Sequence, residues 1–297
     1  VMQINSVAMI GVGAMGAPMA MNVRKAGFGL TVCDRNEAAL APFRAEGVRC
    51  VASAAECAAC DVVMVIVATP AQAEAVLFGE AGLVSGLRAG ASRPLVVIMG
   101  TVAPDWMKET GARLALHEAR LVDAPISGGA VRAQEGSLTI IMGGERADCE
   151  ALRPLMEAMG SAIFHCGPLG SGQATKIVNN LVGISILMTA AEAYRIGLGN
   201  GLLLPDAIPV FEAGTGRNFM TAKPHDAAEA YASWTASRET FDSLHAILRK
   251  DIDLALAIGG EAGPLPMTEA LRGVLERVDD ATFETWAAIA ASGGRKT

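Results

Sequence analysis

Three groups of residues in this 297-residue chain have the types and spacing to do chemistry. The first is Gly11-Val-Gly13-Ala14-Met15-Gly16, a G-x-G-x-x-G run that follows a strand-like segment and opens a helical one. Glycines at those places allow a tight turn, a close approach of backbone to a pyrophosphate, and close packing of helix on strand. The phosphates would rest on free N–H groups at the positive end of the helix. A second strand-like run ends at Asp34, about 20 residues on, where a carboxylate can accept hydrogen bonds from both ribose hydroxyls. Such a carboxylate repels a 2′-phosphate, which favours NAD over NADP. Arg35 keeps NADP open, since a guanidinium can stack on adenine or pair with a 2′-phosphate.

The second group is Gly172-Gln-Ala-Thr-Lys176-Ile-Val-Asn179-Asn180. Gly172, Lys176 and Asn180 recur at i, i+4 and i+8, so they share one helix face, flanked by Asn179 and Gly183. The neighbouring Ile177, Val178, Leu181 and Val182 are apolar. A polar stripe on a buried helix needs partners, and a cleft between two domains would supply them. Burial disfavours an ammonium, and the positive end of a helix acts in the same direction, so Lys176 suits an acid–base role. The sequence is equally compatible with a lysine snorkelling to solvent. The third group is Asp123-Ala-Pro125-Ile-Ser127-Gly128-Gly129-Ala130, at the end of a strand-like run. There the Ser-Gly-Gly backbone could form a nest for a carboxylate, or simply an ordinary glycine turn.

Other chemistries lack their residues. Tyr194 and Tyr231 are followed four places on by Leu198 and Thr235, so no Tyr-x-x-x-Lys base pair is present. Cys57-Ala-Ala-Cys60 has metal or redox spacing but no second ligand pair, and reads as two buried helix cysteines; no metal site is expected. His117, His165, His225 and His245 form no constellation at strand ends, and His245 near Asp242 reads as an exposed helix pair.

These residues need elements to position them. Short apolar runs at Val7–Gly11, Leu30–Asp34, Val62–Val67, Leu95–Met99, Leu121–Ala124, Leu138–Met142 and Ala162–Cys166 read as strands. Helical runs at Met15–Ala26, Glu37–Ala45, Trp106–Leu116 and Ala151–Met159 alternate with them. That alternation predicts an α/β Rossmann-type domain, a mainly parallel sheet with helices on both faces, over residues 1–167. A glycine-rich break, Gly167-Pro168-Leu169-Gly170-Ser171-Gly172, precedes a long junction helix over about 171–198. Pro205–Ala213, Phe241–Ile258, Pro266–Val278 and Phe283–Ala291 also read helical, so residues 168–297 are expected to form an all-α domain. Gly293–Thr297 reads as a frayed tail.

Composition narrows the field further. The net charge of −7 offers no basic surface, so neither nucleic acid nor an anionic membrane is expected as a partner. Hydrophobic residues at 52% and charged residues at 19% exclude disorder and supply a large core. The apolar stretch Ile177–Leu204 is broken by Asn179, Asn180, Glu192, Arg195 and Asn200, and reads as a buried helix and not a membrane span. Reduced cysteines and no basic–apolar leader pattern point to the cytoplasm.

Taken together, these motifs resemble the β-hydroxyacid dehydrogenase family. The similarity runs through Gly11–Met19, Asp123–Gly129 with Gly136-Ser-Leu-Thr139, Gly170–Asn180, and Lys250-Asp251, four motifs in the family's order. The resemblance implies oxidation of a small 3-hydroxy acid by a nicotinamide cofactor, or the reverse reduction. It implies Lys176 as catalytic acid/base and Asn180 as the residue that orients substrate. Ser127, Gly128 and Gly129 would hold the substrate carboxylate. Thr101 would approach the cofactor, and Lys250 would lie near the nicotinamide and help close the cleft. A homodimer or homotetramer with the helical domain in the interface is implied as well. Gly100 replaces the usual serine before Thr101, and Arg217-Asn218-Phe219 and Ala222–Glu239, with Trp234 and Arg238, depart from the pattern. Arg132 reads as a surface residue or as a second contact to a polar substrate. Imine reductases share the architecture but usually lack the lysine, and a non-catalytic dinucleotide-binding protein would not need it, so Lys176 argues against both. A decarboxylating enzyme of the 6-phosphogluconate type would need clustered phosphate-binding cations that are absent here.

Overall fold

The computed structural model describes residues 3–88, 93–222, 226–260 and 263–292. The chain divides into two compact units, Val1–Lys176 and Ile177–Thr297. In the first unit the elements run β1 (Ser6–Ile10), α1 (Gly16–Lys25), β2 (Gly29–Cys33), α2 (Glu37–Ala45), β3 (Arg49–Val51), a 3-10 helix (Ala54–Ala59), β4 (Val62–Val65), α3 (Pro70–Phe78), α4 (Leu83–Gly86) and β5 (Leu95–Ile98). They continue as α5 (Pro104–Ala115), β6 (Arg120–Asp123), β7 (Ile126–Ser127), α6 (Gly129–Glu135), β8 (Leu138–Met142), α7 (Arg146–Glu157) and β9 (Gly160–His165). Helix α8 (Ser171–Gly199) begins in this unit and runs on into the second, followed by α9 (Leu204–Ala213), α10 (Asp226–Trp234), α11 (Arg238–Gly259), α12 (Pro266–Glu276) and α13 (Asp280–Ser292).

Strands β1 to β6 form one parallel sheet in the order β3-β2-β1-β4-β5-β6. Both faces of that sheet are buried. Val62 and Met64 of β4 join one apolar cluster, with Val7, Met9 and Met19, while Val63 and Val65 join a second, with Ala8, Ile10 and Leu77. Burial on both faces is why β4 reads as an unbroken apolar run. The chain order reverses between β1 and β4, and the ends of β1, β4 and β5 lie side by side there, where open α/β sheets bind ligands.

The sequence pattern implied one continuous sheet, but β8 and β9 leave it. They form a second, three-stranded sheet with β7, in which β7 runs antiparallel to β8 and β9 parallel to it. A single antiparallel bridge, Asp123 to Gly143, joins the two sheets. The turn through Pro125 reverses the chain so soon after β6 that the next strand meets β8 instead of extending the first sheet.

The second unit packs an all-helical core that includes Tyr194, Tyr231, Phe241 and Trp286. Three expectations are corrected here and in the first unit. His245 is buried at 2% exposure, not paired on the surface. It lies on the α11 face shared with Phe241, Leu248 and Ile252, Nδ1 is 2.9 Å from the Phe241 carbonyl oxygen, and Asp242 instead accepts from Arg238. Burial lowers the His245 pKa below its ordinary value. Helix α8 is long and apolar enough to cross a membrane by length and composition, but it is buried on one face only. Val178, Val182 and Ile196 are exposed, because the core takes the face that carries Ile184, Leu187 and Tyr194. Cys57 is buried in the 3-10 helix Ala54–Ala59, whereas Cys60 lies just past its end in extended backbone and is half-buried. His225 and Gly293–Thr297 lie outside the described residues.

Candidate active site

The glycine run does what its spacing requires. Gly11 has φ +93°, and a Cβ there would stand 2.2 Å from the Ile66 carbonyl oxygen. A Cβ on Gly16 would stand 1.9 Å from the Gly11 carbonyl oxygen, so α1 can start beside β1 only without a side chain. At Gly13 a Cβ would meet nothing within 4 Å, so that backbone faces open space. Ala14 is exposed beside it, and Met15, the N-cap of α1, supplies no side-chain hydrogen bond to the first turn. The Ala17 N–H already bonds the Gly13 carbonyl oxygen at 2.9 Å and Pro18 has no N–H, so it is the backbone at Gly13–Gly16, ahead of that bond, that is open to a ligand anion.

Asp34 follows β2 directly. Its Oδ2 accepts the Val12 N–H at 2.8 Å and its Oδ1 the Asn36 N–H at 2.8 Å. The carboxylate therefore ties the glycine run to the end of β2. An ionised carboxylate has about four lone-pair sites, so sites remain for two hydroxyls. Gly11, Gly13, Asp34, Arg35, Ser53 and Gln72 are among the residues around a cavity of about 550 Å³. An uncapped helix start, an open glycine cradle and a carboxylate at the second strand end fit a dinucleotide.

Lys176 is 8% exposed, one turn into α8. The start of that helix is held by groups the motif reading did not single out. Asp123, at the end of β6, is fully buried, and its two oxygens accept the N–H groups of Gly170 and Gln173, each at 2.7 Å. Burial pushes the Asp123 carboxyl up to about 6, against the pull of these and other backbone N–H groups. Gln173, also fully buried, accepts the Val102 N–H at 3.1 Å and donates to the Gly100 carbonyl oxygen at 2.8 Å. Thr101 lies between those two contacts.

Ser127 ends β7, opposite Thr139 in β8. Gly128 and Gly129 have φ of +136° and +72° and are exposed. Arg132 is half-buried and lies back across this turn, its Cδ 2.9 Å and its Nε 3.3 Å from where a Gly128 Cβ would be. It is therefore not simply a solvated surface arginine.

In the second unit, Asn180 Nδ2 donates to Asp251 Oδ2 at 2.6 Å, and Lys250 Nζ lies 3.1 Å from Asp251 Oδ1. Asp251 is 2% exposed, so one buried carboxylate organises both Asn180 and Lys250. The Lys-Asp pair marked this segment in the sequence, but not its partner 71 residues away. The departing residues have structural partners. Arg217 pairs with Glu212, Trp234 packs edge-on to Tyr231, and Arg238 pairs with Asp242 and Asp280. Among the described residues, no group of three or more His, Cys, Asp or Glu is placed to hold a metal ion.

A parallel doubly wound sheet with an open glycine cradle at its reversal point, followed by a helical unit, defines a nicotinamide-dinucleotide-binding protein of the dehydrogenase class. A family model described as the NAD binding domain of 6-phosphogluconate dehydrogenase matches residues 6–167. A second, described as NAD-binding of NADP-dependent 3-hydroxyisobutyrate dehydrogenase, matches residues 170–291. The chain belongs to the β-hydroxyacid dehydrogenase family. It is 33% identical to an NAD-dependent L-serine dehydrogenase of Pseudomonas aeruginosa over 89% of each chain. It is also 33% identical to a 2-(hydroxymethyl)glutarate dehydrogenase of Eubacterium barkeri, over 90% of this chain and 87% of that one. A solved 3-hydroxyisobutyrate dehydrogenase of Salmonella typhimurium superposes with a TM-score of 0.78 at 25% identity, over 96% of this chain and 99% of that one.

Proposed function

We propose that this protein interconverts a small 3-hydroxy acid and its semialdehyde or keto acid, with NAD as the preferred cofactor. The observation that carries the proposal is Lys176, a buried lysine in the first turns of α8, in a member of this family. Gly11, Gly13, Ala14, Met15 and Gly16 would hold the pyrophosphate and Asp34 the adenosine ribose, with Arg35 against the adenine side. Thr101 and Lys250 would lie towards the nicotinamide. When bound, the cofactor supplies the hydride acceptor for oxidation. Ser127, Gly128 and Gly129 grip the substrate carboxylate, Arg132 adds a cation beside them, and Asn180, oriented by Asp251, holds the hydroxyl. Lys176 Nζ, as the neutral amine, takes the hydroxyl proton as hydride leaves the carbinol carbon, and returns it in reduction. The free cysteines agree with a reducing compartment, the cytoplasm. The exposed apolar residues of the second unit, Val178, Val182, Ile196, Leu203 and Val210, agree with a homodimer or homotetramer.

The test is reduced-cofactor formation at 340 nm across small 2- and 3-hydroxy acids, with NAD and NADP in parallel. Turnover of a 3-hydroxy acid with NAD ahead is the expected result. Silence with hydroxy acids and turnover of cyclic amines would replace this reading with imine reduction. Asp34 carries the cofactor preference. Asp34→Asn removes the charge that opposes a 2′-phosphate, so the ratio of kcat/KM for NAD over NADP is expected to fall at least about 10-fold. An unchanged ratio would move the preference to other residues.

A further inference from the structure

We propose that Gln173 is a positioning residue for the reaction, whose side-chain amide fixes the first turn of α8 to the loop after β5 and so sets Lys176 relative to Thr101. The inference rests on the proposed role of Lys176.

Gln173 has no solvent exposure, and every polar group of it that could orient the helix is used within the first unit. Its backbone N–H goes to Asp123 Oδ2 at 2.7 Å. Its Oε1 takes the Val102 N–H at 3.1 Å, and its Nε2 gives to the Gly100 carbonyl oxygen at 2.8 Å. The amide thus spans Thr101 from both sides, reproducing across two segments the paired donor–acceptor contact of a sheet. The loop cannot back away from it. A Cβ on Gly100 would come within 2.8 Å of the Val67 carbonyl oxygen, so the loop already lies against the chain beyond β4. On the helix side, Lys176 follows Gln173 by three residues, about 4.5 Å along the axis at 1.5 Å per residue. Lys176 therefore inherits the orientation of the turn that Gln173 and Asp123 hold.

The chemistry explains why an amide stands there. Proton transfer to Lys176 and hydride transfer at the neighbouring carbon must share one geometry, and a misplacement of about 1 Å costs roughly 100-fold in rate. A glutamine offers a donor and an acceptor at once, as the Gly100 carbonyl and the Val102 N–H together demand. Glutamate keeps the acceptor but sets a charged oxygen against a carbonyl. Methionine keeps the volume and offers neither bond.

The experiment compares Gln173→Glu, Gln173→Met and Lys176→Ala with the parent protein, using the hydroxy acid turned over best and NAD. Folded fraction is followed by circular dichroism, and NAD affinity by quenching of protein fluorescence. The expected result for both Gln173 variants is a kcat lower by about 100-fold, with KM for the acid and Kd for NAD each within about threefold. A purely structural role would lower kcat only in proportion to the folded fraction, and that result would overturn the proposal. So would a kcat within about threefold of the parent in both variants. Full activity in Lys176→Ala together with the expected kcat loss in the Gln173 variants would sink the lysine assignment alone. Gln173 would then be shown to position the Thr101 loop for a different base.

Discussion

Lys176→Ala is expected to lower kcat by about 10²–10⁴-fold while NAD binding stays nearly intact, because a positioned acid/base is typically worth that much. The division follows from where the groups stand. The dinucleotide cradle is built from the β1–α1 turn, Asp34 and the walls of the 550 Å³ cavity, none of which includes Lys176. Lys176 instead sits on α8, behind a start held by Asp123 and Gln173. Removing its ammonium and stem leaves those bonds in place, so the first turn of α8 keeps its course. Lys176→Arg should restore charge without a usable base, since a guanidinium does not deprotonate in proteins, and should stay as slow as alanine. Steady-state kinetics on the best hydroxy acid, beside NAD binding by fluorescence, checks both variants. Near-parental kcat in Lys176→Ala would end the acid–base assignment. A variant that loses NAD affinity instead would mark the lysine as part of the cofactor site.

Local elements were legible where one period ran long enough and ended in a recognisable cap. Helix α2 matches its expected Glu37–Ala45 bounds, with Asn36 accepting the Ala38 N–H as its cap and Leu40 and Phe43 on the buried face. Strands β4 and β5 were legible because burial on both faces leaves an unbroken apolar run. Short or evenly apolar elements were not. Strand β3 has three residues with only Val51 buried, and α3 is nine residues long with only Ala73 and Leu77 buried, although its Thr69–Gln72 capping box was a readable signal. The two-residue β7 decides whether β8 extends the first sheet, and no periodicity operates over two residues.

The candidate site divides in the same way. Residues that act through their own backbone, the glycines of the β1–α1 turn, can be read from spacing alone, because their constraint is local. Residues that act on distant partners cannot. Asp251 reaches Asn180 over 71 positions and Gln173 reaches Val102 over 71, and nothing in either segment encodes the other. His245 shows the reverse error. Its i, i+3 relation to Asp242 invited an ion pair, but its i, i+4 relation to Phe241 put it on the buried face, where the ring packs 4.1 Å from Phe241 and 5.0 Å from Trp286.

Asp123→Asn is expected to destabilise the first unit more severely in acid than at neutral pH, relative to the parent. Burial raises the folded-state pKa of Asp123 from an ordinary value of 3.8 to about 6. For an acid raised in this way, the stabilising contribution is complete below 3.8 and is lost as pH climbs through 6. Held ionised at neutral pH, the buried carboxylate costs the fold about 3 kcal/mol relative to its protonated state, by the conversion of a pKa difference to free energy. That cost is tolerated because its oxygens satisfy the N–H groups of Gly170 and Gln173, which would otherwise be buried without acceptors. Asparagine does not titrate, so it escapes the pH-dependent cost but turns an NH2 group towards one of those N–H donors. Its own penalty, about 1–3 kcal/mol for the donor left unsatisfied, is the same at every pH. The stability gap between parent and variant should therefore widen in the parent's favour as pH falls from 7.5 to 4.5. Paired urea titrations at the two pH values read that gap directly, and acid effects of the other carboxylates cancel between the two proteins. A gap that narrows in acid would mean that the backbone N–H groups outweigh burial and hold Asp123 below its ordinary pKa. The start of α8, and Lys176 with it, would then rest on a carboxylate that gains stability from its charge and loses its hold as the solution turns acid.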